Sequence, residues 1–312
     1  MSETIFLANG CSMCYGSELY DDLETRKCFD NVERFKNSWP GKLGSTLGFN
    51  QVVNLGYPGG SNDRILRTTI TWILQNWSSN SKNNLFVIIG WSSPMRREFY
   101  LNEKWRQLIP HHDYSDPEAS ILNRVYREIA WSTYESAIRF AIQVITLQNF
   151  LKQHNIPYLF FDAISSFSKT NLDSESAIDL YIPFIDKKHY FKFGSENCSM
   201  ADYLKTNENG NRHPNIEEHK KWANILIEFI KEENLLTDSL QLNENLPITF
   251  SGIDEVEIYD KKIGLSAQPS SVNNLFARLE ALNNANFSTQ TRKEGLLNKI
   301  RKAFKRDPFI YE

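Results

Sequence analysis

Leu85-Phe86-Val87-Ile88-Ile89, running into Gly90-Trp91-Ser92-Ser93, is the stretch from which the fold is read. Five apolar residues in a row, with no polar alternation, describe a strand covered on both faces, as in a parallel sheet between helical layers. Three other short apolar runs share this character. Ile5–Ala8 ends at the turn pair Asn9-Gly10, Gln51–Leu55 is closed by Gly56–Gly60, and Tyr158–Phe161 is the fourth.

The segments between these runs have a helical period. Leu66, Ile70, Ile73, Leu74 and Trp77 fall on one face, with Ser61 and Asn62 available as caps. Residues 119–153 read as one long helix carrying Leu122, Tyr126, Ile129, Ala137, Ala141, Ile145 and Phe150. A last core helix starts after Pro214, where Asn215 and Glu218 have the spacing of a capping box and Trp222, Ile225, Leu226, Phe229 and Ile230 form a stripe. Strands alternating with helices predict an α/β protein with a parallel sheet.

Beyond about residue 235 the character changes. Ile248–Tyr259 has room for one or two strands, residues 266–290 are rich in Asn and Ser, and Thr291–Arg306 is a basic amphipathic helix candidate. The expected division is a body over 1–235 and a C-terminal extension over 236–312. The basic helix could dock on a partner or simply pack Leu296, Leu297, Ile300 and Phe304 onto the body.

Composition narrows the function. An apolar fraction of 41% is enough for a packed core, and the net charge of −3 lacks the basic excess of a nucleic-acid binder. No run reaches the ~18 apolar residues of a membrane span, and the first residues do not read as a signal peptide. With only four cysteines, a disulfide framework is not expected, and a soluble, cytoplasmic protein is.

In an open parallel sheet, ligands bind outside the carboxyl ends of the strands, so chemistry is sought just after each apolar run. Gly10-Cys11-Ser12 follows the first run and sets a hydroxyl at the sheet edge, where Ser12 is either a nucleophile awaiting a base or an ordinary turn residue. Asn54 through Asn62 follows the second, and its glycines let backbone N–H groups approach a ligand closely. Gly90-Trp91-Ser92-Ser93 and Arg97 follow the third. Far away in sequence, His213-Pro214 precedes a capped helix in a polar loop, a suitable place for a general base.

Together these segments resemble the SGNH (GDSL-type) hydrolases, serine esterases on a flavodoxin-like sheet. Gly10-Cys11-Ser12 is similar to the family's Gly-Asp-Ser block, with Cys11 in place of Asp. Trp39-Pro40 with Leu43 resembles its Trp-Pro-x-x-Leu stretch, Asn54 and Gly59 match its second block, and His213-Pro214 matches the end of its fifth. The resemblance covers roughly residues 4–232. It implies a three-layer α/β/α fold with a central parallel sheet of about five strands. It also implies a serine ester hydrolase with Ser12 as nucleophile, His213 as base, and Gly59 and Ser92 at the oxyanion. Asn62, Trp91 and Arg97 would stand at the substrate rim. A small-molecule or glycan ester would be the substrate, with no metal and no cofactor.

Two further positions depart from the family pattern. Ser92 stands where an Asn usually donates to the oxyanion, and Gly210 stands where an Asp usually orients the histidine. Glu208, Asp202 or a backbone carbonyl are the substitutes. A second function therefore stands beside the first, a catalytically silent module that uses the crevice for a glycan or a partner. The Asn- and Lys-rich composition resembles that of AT-biased phage or bacterial proteins. Cys11-Ser12-Met13-Cys14 could be a redox pair and His111-His112-Asp113 a metal site, while Gly41-Lys42 lacks the spacing of a phosphate loop.

Overall fold

A computed structural model of the chain describes residues 4–21, 32–77, 84–101, 104–166, 178–206, 212–236 and 248–252. Within them five parallel strands form one sheet in the order β6-β3-β1-β2-β7. These are β1 (Thr4–Gly10), β2 (Gln51–Asn54), β3 (Asn84–Trp91), β6 (Tyr158–Asp162) and β7 (Thr249–Ser251). An antiparallel hairpin, β4 (Arg97–Leu101) with β5 (Lys104–Leu108), stands apart from the sheet. The helices are α1 (Ser12–Tyr15), α2 (Val32–Asn37), α3 (Trp39–Leu47), α4 (Asn62–Asn76), α5 (Pro117–Val125), α6 (Thr133–Gln153), α7 (Met200–Leu204) and α8 (Ile216–Glu232).

The unalternating runs become strands because both faces are covered. On one face Phe6, Phe86 and Phe161 pack against Trp39 and Leu43 of α3 and Trp222 and Leu226 of α8. On the other, Leu7, Val87 and Ile89 meet Ile65 and Trp72 of α4 and Phe140, Val144 and Leu147 of α6. The result is the expected three-layer α/β/α arrangement. The chain runs from β1 outward to β2 and then returns to the other side of β1 to lay down β3. The strand order therefore reverses between β1 and β3, which opens a crevice at their carboxyl ends.

Four local expectations change. The helix expected over 119–153 is broken: α5 runs into a π-turn at Tyr126–Ala130, and α6 restarts after Ser132, whose hydroxyl accepts the Glu135 N–H. The buried stripe of α4 is Ile65, Trp72 and Ile73 with Thr68 and Thr69, while Leu74 faces solvent at 66% exposure. The hairpin lies in a stretch to which the sequence reading assigns no strand. Finally, β7 pairs with β2, so the sheet takes its edge strand from beyond residue 235. The basic segment 291–306, Glu208 and Gly210 lie outside the described residues. Among those described, no helix is long and apolar enough to cross a membrane.

Candidate active site

The crevice is assembled from three strand ends. At the first, Gly10 has no room for a side chain, since a Cβ there would lie 2.7 Å from Cys14 Cβ and 2.9 Å from the Gly90 carbonyl oxygen. Cys11 then tucks into the core, and Ser12 opens the single turn of α1 at 9% exposure. Asn54, at the end of β2, holds this turn in place. Its amide donates to the Cys14 carbonyl at 2.9 Å, and its oxygen accepts the Gly56 N–H at 2.9 Å and the Cys14 thiol at 3.4 Å. Burial, reinforced by neighbouring Cys11, pushes the Cys14 pKa well above the ordinary thiol value. That keeps it protonated and argues against a redox role for the pair.

At the second strand end, Tyr57-Pro58-Gly59-Gly60 forms a turn closed by the Gly60 N–H on the Tyr57 carbonyl at 2.9 Å. Gly59 takes φ +76°, the left-handed position that a type II turn reserves for glycine. The turn lies against the first strand end, where a Cβ on Gly60 would be 3.3 Å from the Gly10 carbonyl oxygen.

At the third, Ser92 is clamped by Asn62: its N–H donates to Asn62 Oδ1 at 2.8 Å, and its carbonyl accepts from Asn62 Nδ2 at 3.0 Å. The Ser92 hydroxyl accepts from Arg96 Nη1 at 3.0 Å. The same guanidinium nitrogen faces the Gly60 carbonyl at 3.4 Å, so Arg96 bridges the second and third strand ends.

His213 joins from the far side of the sequence. Its loop is fixed by Arg212, which forks onto the Glu218 carboxylate, and by Glu218 accepting the Asn215 N–H at the start of α8. The imidazole Nδ1 lies 2.9 Å from Glu18 Oε1, and Glu18 Oε2 accepts the His213 backbone N–H at 3.1 Å. Burial pushes the Glu18 carboxyl up, but the hydrogen bonds and charge of His213 outweigh it, leaving the pKa below its usual value. Glu18 is therefore the carboxylate beside this histidine. It lies six residues after Ser12, in a loop where no motif marks it, with φ +69°. Asp202, one of the substitutes expected from sequence, is used elsewhere, capping α7 through Ser199 and Ser166.

A buried network holds the Glu18 loop. Glu18 N–H donates to Asp21 Oδ2 at 2.8 Å, and the other Asp21 oxygen pairs with Arg34, which is fully buried. Arg34 also donates to the Tyr15 hydroxyl at 2.5 Å and the Leu19 carbonyl at 3.2 Å.

Ser12, Gly59 and Ser92 follow the carboxyl ends of β1, β2 and β3, and His213 is tied to Glu18, six residues after Ser12. Among the described residues, the Ser12 hydroxyl makes no hydrogen bond with His213. The three residues expected at the rim sit elsewhere. Trp91 is 1% exposed in the core between Phe140 and Phe160, because its side chain points to the α6 face of the sheet. Asn62 is fully buried as the clamp on Ser92. Arg97 is drawn into ion pairs with Asp63 and Glu135.

Next to Gly59 opens a cleft of about 560 Å³, roofed by the hairpin and lined by Tyr57, Arg64, Arg67, Trp105, His112 and Tyr114 among others. Arg67 stacks on Trp105 with its guanidinium carbon 4.0 Å from the ring centroid, and forks onto Glu98. His112 contributes to this wall and His111 packs on Trp131, and no cluster that could hold a metal occurs among the described residues.

Comparison with known proteins adds the following. Solved structures similar in part include a mutant of Axe2, an acetyl-xylooligosaccharide esterase from Geobacillus Stearmophilus, at 10% identity and TM-score 0.38, covering 73% of this chain and 94% of that one. Others are a member of the lipolytic protein G-D-S-L family from Veillonella parvula (11%, TM-score 0.31, 72% and 97%) and LAE5, an alpha/beta hydrolase enzyme from the metagenome of Lake Arreo, Spain (12%, 0.37, 76% and 99%). No curated protein matches the chain. The model of a family described as "Family of unknown function (DUF6071)" matches residues 17–239, which include Glu18 and His213. The match spans more than half of the chain, and the chain belongs to that family.

Proposed function

We propose that this protein is a serine ester hydrolase of the acyl- or acetylesterase type, with Ser12 as nucleophile, His213 as general base and Glu18 as the carboxylate that orients the imidazole. The observation that carries the reading is the double hold of Glu18 on His213, at ring Nδ1 and backbone N–H. A carboxylate on Nδ1 fixes the tautomer with its proton there and leaves Nε2 free to accept one.

In the reaction, Ser12 Oγ gives its proton to His213 Nε2 as it bonds to the ester carbonyl carbon, and the π pair moves onto the carbonyl oxygen. The Ser12 and Gly59 N–H groups and the Ser92 hydroxyl stabilise that charge. When the intermediate collapses, the C–O bond to the alcohol breaks and the imidazolium protonates the departing oxygen. Water, deprotonated by the same imidazole, then releases the acid and restores Ser12. The cleft beside Gly59 would receive the acyl or alcohol part of a small-molecule or glycan ester.

The missing Ser12–His213 hydrogen bond favours the second reading, a silent binding module that keeps the crevice. A fluorophosphonate probe separates the two. The esterase is labelled at Ser12, labelling disappears in Ser12→Ala and weakens in His213→Ala, and short-chain aryl esters turn over. An unlabelled wild-type protein without turnover leaves the binding module.

A further inference from the structure

We infer that Arg96 is an oxyanion-stabilising residue, its guanidinium supplying the strong donor that a serine at position 92 cannot. This rests on the esterase reading. A Ser hydroxyl ends one bond beyond Cβ, whereas the amide nitrogen of an Asn lies two bonds beyond it. At position 92 the space past the shorter side chain is taken by Arg96 Nη1, 3.0 Å from Ser92 Oγ. The same nitrogen faces the Gly60 carbonyl at 3.4 Å, so the cation spans the Ser92 side chain and the glycine turn that carries Gly59.

The position is fixed from several directions. Asn62 locks Ser92 through both of its backbone groups. The turn that carries Arg96 is closed by its N–H on the Ser93 carbonyl at 3.1 Å. Arg139 of α6 donates to the Pro94 carbonyl at 2.7 Å and the Arg96 carbonyl at 3.4 Å, and the Tyr126 hydroxyl donates to the Met95 carbonyl at 2.9 Å. This anchoring is what a preorganised donor requires, because a group already in place needs no rearrangement when charge develops.

The charge is also uncommitted. Neighbouring Arg97 pairs with Asp63 and Glu135, and Arg67 with Glu98. Among the described residues no carboxylate pairs with Arg96, and its Nε and Nη2 donate to no protein acceptor. As the Ser12–carbon bond forms and the carbonyl π pair becomes an oxyanion, a hydrogen bond from this cation is roughly twice as strong as one from a neutral amide.

The test is steady-state kinetics on phenyl acetate, a neutral ester, together with the rate of Ser12 modification by a fluorophosphonate, whose phosphoryl oxygen enters the same hole. Arg96→Gln should lower kcat by about 10²-fold or more with KM little changed, and slow modification in parallel. Arg96→Lys keeps the charge but not the planar fork and should fall between Gln and wild type; it also serves if Arg96→Gln fails to fold. An active wild type whose variants keep full kcat and modification rate overturns the Arg96 role alone. So does a loss seen only as raised KM for anionic esters, which would make Arg96 a substrate-carboxylate site. A wild type that neither turns over ester nor reacts with the probe overturns both this role and the esterase reading.

Discussion

Glu18 and His213, 195 residues apart in sequence, meet through two contacts at once, Oε1 to ring Nδ1 at 2.9 Å and Oε2 to the backbone N–H at 3.1 Å. A single bond would leave the imidazole free to swing about the other. Two bonds fix the ring and the chain that bears it, and tie the histidine loop to the segment that begins at Ser12.

Replacing Glu18 should therefore act on chemistry more than on folding. The Glu18 side chain is 46% exposed, so its screened charge contributes little to stability. Glu18→Gln should lower kcat/KM for a short aryl ester by about 10²-fold, the low end for acid–base assistance, because an amide can donate to Nδ1 and stabilise the wrong tautomer. The thermal midpoint should barely move. Unchanged kcat/KM would remove Glu18 from the mechanism.

Asp21 should show the reverse balance. Its carboxylate is 7% exposed and pairs with a fully buried Arg34, so Asp21→Ala leaves a guanidinium in the interior without that partner. Losing one side of such a pair typically costs about 3–5 kcal/mol, measurable as a lower urea midpoint. Because Asp21 also accepts the Glu18 N–H, probe labelling of the remaining folded protein should slow as well.

Acid sensitivity should trace to His219. It is fully buried, its Nδ1 accepts the Trp39 N–H at 3.1 Å, and burial, aided by the charge of His213, pushes its pKa down to about 3. The unfolded chain protonates this imidazole near pH 6.5 while the folded one does not, so stability falls as pH drops from about 6.5 towards 3. Urea midpoints measured across that range should decline, and His219→Gln should flatten the slope. An equally steep slope in the variant would assign it to other groups.

The hairpin should set substrate size. Trp105 forms part of the cleft wall and is braced by the Arg67 guanidinium and its Glu98 partner. Trp105→Ala should raise KM for bulky aryl esters while leaving acetate esters nearly unaffected, since a small acyl group has little to gain from the wall. Equal effects on both would separate the cleft from the reaction.

Much of this was legible along the chain. Unbroken apolar runs such as Leu85–Ile89 have no solvated face, so a sheet between two helical layers is the arrangement that buries them. Glycines mark the strand ends because backbone passes close to backbone there, as at Gly10 and Gly60. The restart of α6 also had its sign, Ser132 followed three residues on by Glu135, hidden within a run of helical period.

Sequence by itself determined the layers, the strand ends that carry Ser12, Gly59 and Ser92, and the capped helix behind His213, because each rests on local periodicity and turn chemistry. Tertiary structure alone decided which carboxylate meets the histidine, that Trp91 faces the core and Arg97 its ion pairs, and that Arg96 bridges Gly60 and Ser92. Those outcomes depend on which side chains converge when distant strand ends are brought together. That convergence is fixed by the packing of the whole sheet and leaves no periodic trace in the order of residues.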